Sequence, residues 1–540
     1  MRHPVLLILA AWALLFLPGL GSRELQGEEA RRVLPGRTML QNGDFMLPRS
    51  GGQVYNRKPP LVNWISAAAI TVSGKMDEWT VRLPSALLVL SLALAAFFSL
   101  KPWLGKRTAA LTAFILLTNV GFIEKGRLIE IEALYFSLYG ICILLWLSLW
   151  HQNKPVAAWF TAAIVSGLAF LAKGPPHLIY FYFIVVCVLR AEGRIKDLIR
   201  WPHLASIALF VGTWLPWAML NMQRNPYRDS TSEWSEQITH RLGLVEFNFI
   251  NYLLQIPQSL VNFLPWALFI PLWFKKHNSP HEQAIRAITW GTIWGFIIIA
   301  VLPSSRPRFM LPCNVTAALL TAHSLVLAGP EWIKRASVIW RWLAIFLAAG
   351  STALLIAKTI TPTHGASPSA MWLALLASFA AVIYLTVRRR HRQESPLRLA
   401  SYIVLALGSC SMAFHAVAVP LMIQQEELRP FAEKIRSITG PDEKIVLFRV
   451  GERMWPFYLG MNCVEISTIR DRPRPTRWLI TPKDYWESKE GRSSLLEKLD
   501  EPRQIHVMSQ PKGDPPVVLL EFSLSPRPSK EERAQQSPSN

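Results

Sequence analysis

Charge is what this sequence has least of. Asp, Glu, Lys and Arg make up 17% of its 540 residues and hydrophobic side chains 51%, where an ordinary soluble domain carries about 25% charged residues. A soluble chain of this length would divide into several charged domains. Here the apolar residues fall in long runs, which excludes that organisation and points to a membrane protein. Cysteine is scarce too. Cys142, Cys187, Cys313, Cys410 and Cys463 show no paired spacing, and four of them lie in apolar runs, where a thiol behaves as a small hydrophobe. Neither a disulfide framework nor a metal-ligand set is therefore expected. No internal repeat is found. Acidic residues are outnumbered 36 to 57, leaving a formal charge of +21. That excess invites a nucleic-acid reading, and the positions of the cations argue against it.

Runs long enough to be crossing helices, about 20 mostly apolar residues, begin near Val5, Val81, Ala109, Ile131, Ala157, Leu178, Leu204, Gln258, Ile288, Phe309, Ala336, Ala370 and Tyr402. The expected fold is thus a polytopic α-helical membrane protein of about 13 transmembrane helices. If Met1 is cytoplasmic, every second connection is basic: Lys101, Lys106 and Arg107; Lys154; Arg190, Arg194, Lys196 and Arg200; Lys275, Lys276 and Arg286; Lys334, Arg335 and Arg341; then Arg388 to Arg390, Arg392 and Arg398. This is the positive-inside pattern; it accounts for much of the charge, and no nucleic-acid partner is expected. Pro4 to Leu20, with small residues at Gly19, Gly21 and Ser22, has features of a cleaved signal peptide, but an uncleaved first span suits the alternation better.

An odd span count leaves everything after about Gln424 outside. There Lys444 to Val450 and Val517 to Phe522 read as strands and Ser493 to Leu499 as a helix. The expected organisation is a transmembrane catalytic domain over 1–424, a soluble α/β domain over 425–523 and a disordered tail over 524–540. Two outer connections, about 21–80 and 222–256, are too long for simple turns, and long ordered loops on a rigid scaffold are where function concentrates.

The first of these loops carries Gly27-Glu28-Glu29-Ala30-Arg31, then Asn42-Gly43-Asp44, then Tyr55-Asn56-Arg57-Lys58-Pro59-Pro60-Leu61, and is followed by Arg82-Leu83-Pro84-Ser85. Farther along come Arg127-Leu-Ile-Glu130-Ile-Glu132-Ala133, Ala172-Lys173-Gly174-Pro175, Leu264-Pro265-Trp266 and Ser304-Ser-Arg-Pro-Arg308-Phe-Met-Leu-Pro312. In order and spacing these segments resemble the GT-C glycosyltransferases of the protein-mannosyltransferase and lipid A aminoarabinose-transferase type. That family has an Asp-Glu-x-Arg motif at the start of the loop, followed by Lys-Pro-Pro-Leu, Arg-Leu-Pro-Ser, Lys-Gly-Pro and Leu-Pro-Trp segments. The chain departs from it in having Glu28 where many members have Asp, so Glu28 and Glu29 both stand as the candidate acid.

The resemblance implies inverting transfer from a polyprenyl-phosphate sugar to a lipid or protein acceptor at the outer face of a bacterial inner membrane, with membrane lipids around it. Glu28, Glu29 and Glu132 are the candidate catalytic acids, because an attacking hydroxyl must be oriented and lose its proton. Arg57, Lys58, Lys173 and Arg308 are the candidate donor-phosphate ligands, because a phosphate leaving group needs fixed positive charge more than a proton. Arg31, Arg127, Glu130 and Arg241 are supporting candidates, with Glu130 and Glu132 expected to pair with Arg127. The plain alternative is that such lysines and arginines anchor helix ends at the headgroups. His240 is read as structural, and Trp266 as a belt residue or a wall of the donor groove. No cofactor is expected; the lack of an Asp-x-Asp pair near Glu28 leans against an obligatory metal and leaves an optional one open. A lipid flippase or transporter would have a similar span count, but usually places isolated ionisable residues in mid-span and often shows repeats. An O-antigen ligase or polymerase would share the donor but usually lacks the Lys-Pro-Pro-Leu loop and an appended outer domain.

Overall fold

The computed structural model describes residues 3–55, 58–225, 249–276, 279–302, 305–328, 330–360, 395–419, 427–451 and 453–523, with the single residues 380, 384 and 422. The chain divides into two compact units. One comprises Met1–Arg23, Asn56–Ile65 and Glu78–Gln424; the other comprises Glu24–Tyr55, Ser66–Asp77 and Gln425–Asn540.

The first unit is helical. Among the described residues, seven helices are long and apolar enough to cross a membrane: Glu78–Leu117, Ile131–His151, Pro155–Lys173, Trp201–Arg224, Glu282–Ala300, Glu331–Ile356 and Pro396–Ala418. The bent pair Leu253–Asn262 and Trp266–Phe274 makes an eighth if it is one span, and Pro4–Phe16, His177–Ala191 and Cys313–Leu327 are shorter apolar helices of the same unit. The chain is therefore a multi-pass membrane protein. The runs expected from Val81 and Ala109 share one helix assignment, broken at Gly105, whose φ of 80° is outside the helical range. The run expected near Ala370 lies outside the described residues.

Local chemistry explains several helix starts. Proline stands in the first turn of Pro4–Phe16, Pro155–Lys173, Trp201–Arg224 and Pro396–Ala413, where its fixed φ helps and its missing N–H costs nothing. Asn119 caps Val120–Gly126 by accepting from the Phe122 N–H at 3.2 Å. The core is aromatic: Trp146, Trp150, Trp266, Tyr139 and Tyr180 are fully buried.

The second unit contains a five-stranded sheet ordered β4-β3-β5-β7-β6, with β3 Ile445–Phe448, β4 Cys463–Ile466, β5 Trp478–Pro482, β6 Gln504–Met508 and β7 Val517–Glu521. Strand β3 runs parallel to both neighbours, whereas β7 runs antiparallel to β5 and β6. All of β3 is buried, since its alternating residues face two cores. Ile445 and Leu447 pack with Phe431 and Ile435 of helix Leu428–Thr439, and Val446 and Phe448 with Trp486 and Leu495. The α/β character expected of the C-terminal region is thus present, and its sheet also includes β4, β5 and β6, which the sequence reading missed.

The first long loop is itself structured. It forms helix Ala30–Asn42, a short hairpin of β1 Arg49–Ser50 and β2 Gln53–Val54, and helix Leu61–Ser73. Within the second unit, the buried Arg37 of the Ala30–Asn42 helix pairs with Glu465 of β4, which also accepts from the Gly51 N–H. Glu24 caps helix Leu428–Thr439 from outside, its carboxylate accepting the N–H groups of Leu428 at 3.1 Å and Arg429 at 2.6 Å. A carboxylate at a helix N-terminus is favourably placed against the dipole.

Candidate active site

Three chain segments of the membrane unit converge on one cluster. Helix Ile131–His151 begins with Glu132 in its first turn, and the neighbouring helix Pro155–Lys173 ends on Lys173. Each charge suits its helix end, and the two helices, joined by a short connection, bring those ends together. The third segment is the turn Pro307–Met310, which carries Arg308 and Phe309. Lys173 Nζ donates to Glu132 Oε1 at 3.1 Å, with 8% of each side chain exposed. Arg308 Nε lies 3.5 Å from the same oxygen. The Lys173 ammonium also sits over the rings of Tyr135 at 5.1 Å and Phe309 at 4.8 Å, where ring faces attract a cation.

The helix can end at Lys173 because Gly174 follows with φ 93° and ψ −162°, a conformation that a side chain would disfavour. Pro175 and Pro176 then turn the chain into His177–Ala191.

Beside the cluster is a pocket with about 560 Å³ of empty space, lined by Lys173, Tyr135 and Ser305 together with apolar side chains including Ile179, Ile299 and Leu302. Among the described residues Ser305 Oγ is buried without a hydrogen-bond partner, a group that a bound ligand oxygen would satisfy. The site therefore offers two cations against one carboxylate, next to walls suited to hydrocarbon. Among the described residues, no three His, Cys, Asp or Glu side chains are grouped so as to hold a metal ion.

Glu130 and Arg127 follow different partners from those expected. Glu130 lies 3.3 Å from Lys125, which also pairs with Glu124 at 2.9 Å. Burial pushes the Glu130 carboxyl up despite the Lys125 ammonium. Burial also works against the charged form of Lys125, but Glu130 and Glu124 outweigh it and its pKa is raised. Arg127 turns away from both acids: its guanidinium donates to the carbonyls of Leu15, at 2.8 Å, and Pro18, and meets His415 Nε2 at 2.7 Å. Burial, with Arg82 nearby, brings its pKa down to about 10. The expected Arg127 ion pair with Glu130 or Glu132 is thus replaced by bonds that tie the end of the first helix. Trp266 does not line this pocket; it is a core residue, donating to Thr118 Oγ1 at 2.9 Å.

The remaining candidates divide by unit. Lys58, in the membrane unit, is half-buried just before Pro59 and Pro60. Glu28, Glu29 and Arg31 belong to the second unit. Glu28 keeps 35% of its side chain exposed and accepts from Arg31 and Arg32, each at 3.0 Å. Glu29 is fully buried and accepts from the Gln26 N–H at 2.9 Å. Arg57 and Arg241, like His240, lie outside the described residues. Sequence reasoning missed Lys125, Tyr135, Phe309 and Arg32. Tyr135 was detectable, standing three residues after Glu132 on the same helix face.

The family model for dolichyl-phosphate-mannose-protein mannosyltransferase matches residues 57–218. An uncharacterised protein of Aquifex aeolicus is 23% identical over 454 residues, 82% of this chain and 83% of its own. The undecaprenyl phosphate-alpha-4-amino-4-deoxy-L-arabinose arabinosyl transferase of Pseudomonas aeruginosa is 25% identical over 434 residues, 77% of each chain. Among solved structures, ArnT from Cupriavidus metallidurans bound to undecaprenyl phosphate aligns with a TM-score of 0.67 at 20% identity, covering 97% of this chain and 99% of that one. The two chains share a fold.

Proposed function

We propose that this chain, a glycosyltransferase of the GT-C type related to the protein mannosyltransferases and aminoarabinose transferases, moves a sugar with inversion from an undecaprenyl-phosphate carrier to an envelope acceptor. The observation that carries the proposal is the Glu132–Lys173–Arg308 cluster at a largely apolar pocket among the spans. Fixed cations next to hydrocarbon walls match a phosphate with a lipid tail. The name of the Pseudomonas aeruginosa relative and the ligand of the ArnT structure point to the same donor class. The preferred pair is aminoarabinose as sugar and a lipid A-like lipid as acceptor, with a protein hydroxyl as the alternative acceptor.

In this proposal Lys173 and Arg308, helped by Lys58 and Arg57, stabilise the charge that collects on the departing phosphate. Glu28 takes the acceptor proton, a contribution of about 10²–10⁴-fold in such reactions. It is preferred to Glu29 because it is solvent-accessible, whereas Glu29 is buried on a backbone amide. Arg31 orients Glu28; Glu130, Arg127 and Arg241 are supporting residues. The proposed setting is the bacterial inner membrane, with the N-terminus cytoplasmic and the region 425–523 periplasmic, which the alternation of basic loops supports.

The test is turnover of a labelled undecaprenyl-phosphate sugar by the purified protein. Glu28→Gln should bind donor and lose turnover, while Lys58→Ala should lose donor binding. Wild-type-like turnover by both variants would refute the residue assignments. Movement of lipid across the bilayer without cleavage of the sugar–phosphate bond would replace the transferase by a flippase.

A further inference from the structure

Helices Pro155–Lys173, His177–Ala191 and Trp201–Arg224 enclose a second pocket, toward the end of the spans opposite the Glu132 cluster. It has about 550 Å³ of empty space, and its walls include Trp159, Ala162, Ala163, Phe181, Ile207 and Phe210. Its upper limit is the contact of Gly167 with Thr213, so close that a Cβ on Gly167 would lie 1.8 Å from Thr213 Oγ1. Small residues permit this approach of two membrane helices. Its lower limit is Trp159 against His203, with ring centroids 4.3 Å apart. Between these contacts the helices splay.

The hydroxyls in this wall already have partners. Ser166 Oγ is 2.7 Å from His177 Nε2, Ser206 donates to the His203 carbonyl at 2.7 Å, and Tyr182 meets His203 Nε2 at 3.0 Å. Little is left to hold water, which needs two to four polar partners, and the surface presented is apolar. Ile207 both lines the pocket and is 41% exposed, so among the described residues the pocket opens on the outside of the bundle.

Below the opening is a basic connection. Arg190, Arg194, Lys196 and Arg200 stand against Glu192 and Asp197. The buried Asp197 holds Arg194 at 2.7 Å and Arg200 at 2.6 Å, and Glu192 is engaged by Trp150 and His151. Arg190 and Lys196 are exposed, as are Ile195, Ile199 and Trp201. Cations mixed with isoleucine and tryptophan are suited to a headgroup layer. From Arg200 to Ile207 the helix rises about 10 Å, enough to pass from headgroup level into hydrocarbon.

We infer that this pocket binds an anionic phospholipid of the surrounding leaflet, with its headgroup on the Arg190–Arg200 connection and an acyl chain between the splayed helices. The charge at the opening selects the headgroup, and the satisfied, apolar wall selects the chain. Basic pockets between membrane helices recognise anionic headgroups in this way.

The test is native mass spectrometry of the full-length protein in detergent, titrated with phosphatidylglycerol or phosphatidylcholine. Phosphatidylglycerol should be retained about tenfold better than phosphatidylcholine, and joint Arg190→Ala and Lys196→Ala should weaken it about thirtyfold. Ala163→Phe, which fills the groove, should reduce retention of both lipids. If that variant fails to assemble, the exposed charge variant decides alone. Equal retention of the two lipids by wild type, unchanged retention in the charge variant, or one-for-one displacement of phosphatidylglycerol by undecaprenyl phosphate would each overturn the inference.

Discussion

Replacing Glu132 by Gln keeps the shape of the site and removes the carboxylate that Lys173 and Arg308 share. At 3.1 Å from Lys173 the gross attraction is about 5 kcal/mol at an effective dielectric of about 20, and Arg308 at 3.5 Å adds to it. Most of this offsets the cost of burying the charges. What matters for the variant is that a buried ammonium loses its carboxylate, a change that typically costs about 3–5 kcal/mol. The ring faces of Tyr135 and Phe309 remain to soften it, so the lower end, about 3 kcal/mol, is expected.

A lipid phosphate that binds Lys173 and Arg308 should replace the missing anion. If the variant binds the lipid about a hundredfold more tightly than wild type, saturating lipid stabilises it by about 2.7 kcal/mol more, close to the deficit. Glu132→Gln should therefore melt several degrees below wild type without lipid and recover most of the difference with saturating undecaprenyl phosphate. Thermal unfolding in detergent, followed by intrinsic fluorescence, measures both. The reasoning fails if the lipid-free variant is as stable as wild type, or if the lipid raises the two melting temperatures equally.

Other substitutions probe the neighbouring assignments. Glu29→Gln should lower stability by about 1–3 kcal/mol through its buried amide bond, while Glu28→Gln, at a more exposed pair, should stay within about 1 kcal/mol; thermal melts of the two distinguish them. Arg37→Met should cost about 3–5 kcal/mol by leaving Glu465 buried without its cation, and adding Glu465→Leu should recover part of that in the same assay, the Gly51 N–H losing its acceptor. Gly174→Ala forces a side chain onto a φ of 93° and should cost about 1–3 kcal/mol; because it displaces Lys173, it should also raise the donor KM.

That the chain is built of membrane-crossing helices was legible because crossing imposes a crude demand, a minimum length of apolar chain. The count of about 13 was not confirmed, seven or eight helices meeting that demand among the described residues. The Lys173 and Glu132 candidates were legible as ionisable residues at span ends, but their pairing was not deduced. It follows from two antiparallel helices joined by a short turn. Arg127 misled because it is near Glu130 and Glu132 in sequence. Helix Ile131–His151 starts after it, so no helical spacing fixes its direction, and the unsatisfied carbonyls of the first helix claim it. Arg37 and Glu465 are 428 residues apart, and no local pattern announces such a pair. Strand β6 was missed since it mixes polar and apolar residues, whereas β7 is a short apolar run that follows Pro515 and Pro516.

Glu132 also bears on how the proposed site distinguishes ground state from transition state. The proposed donor is a phosphodiester with one negative charge, and the departing carrier would be a monoester carrying about −1.5 to −2 at pH 7. With Glu132 present, one of the positive charges of Lys173 and Arg308 is already balanced in the ground state. As the sugar–phosphate bond breaks, Lys173 can shift from the carboxylate toward the phosphate and meet the added charge. An interaction that strengthens only along the reaction accelerates it, whereas one already complete in the ground state only tightens binding. Without Glu132 both cations would grip donor and product from the start. Glu132→Gln should then show a lower Ki for undecaprenyl phosphate as product inhibitor together with a reduced kcat. A variant with lower kcat but unchanged product inhibition would assign Glu132 to positioning alone.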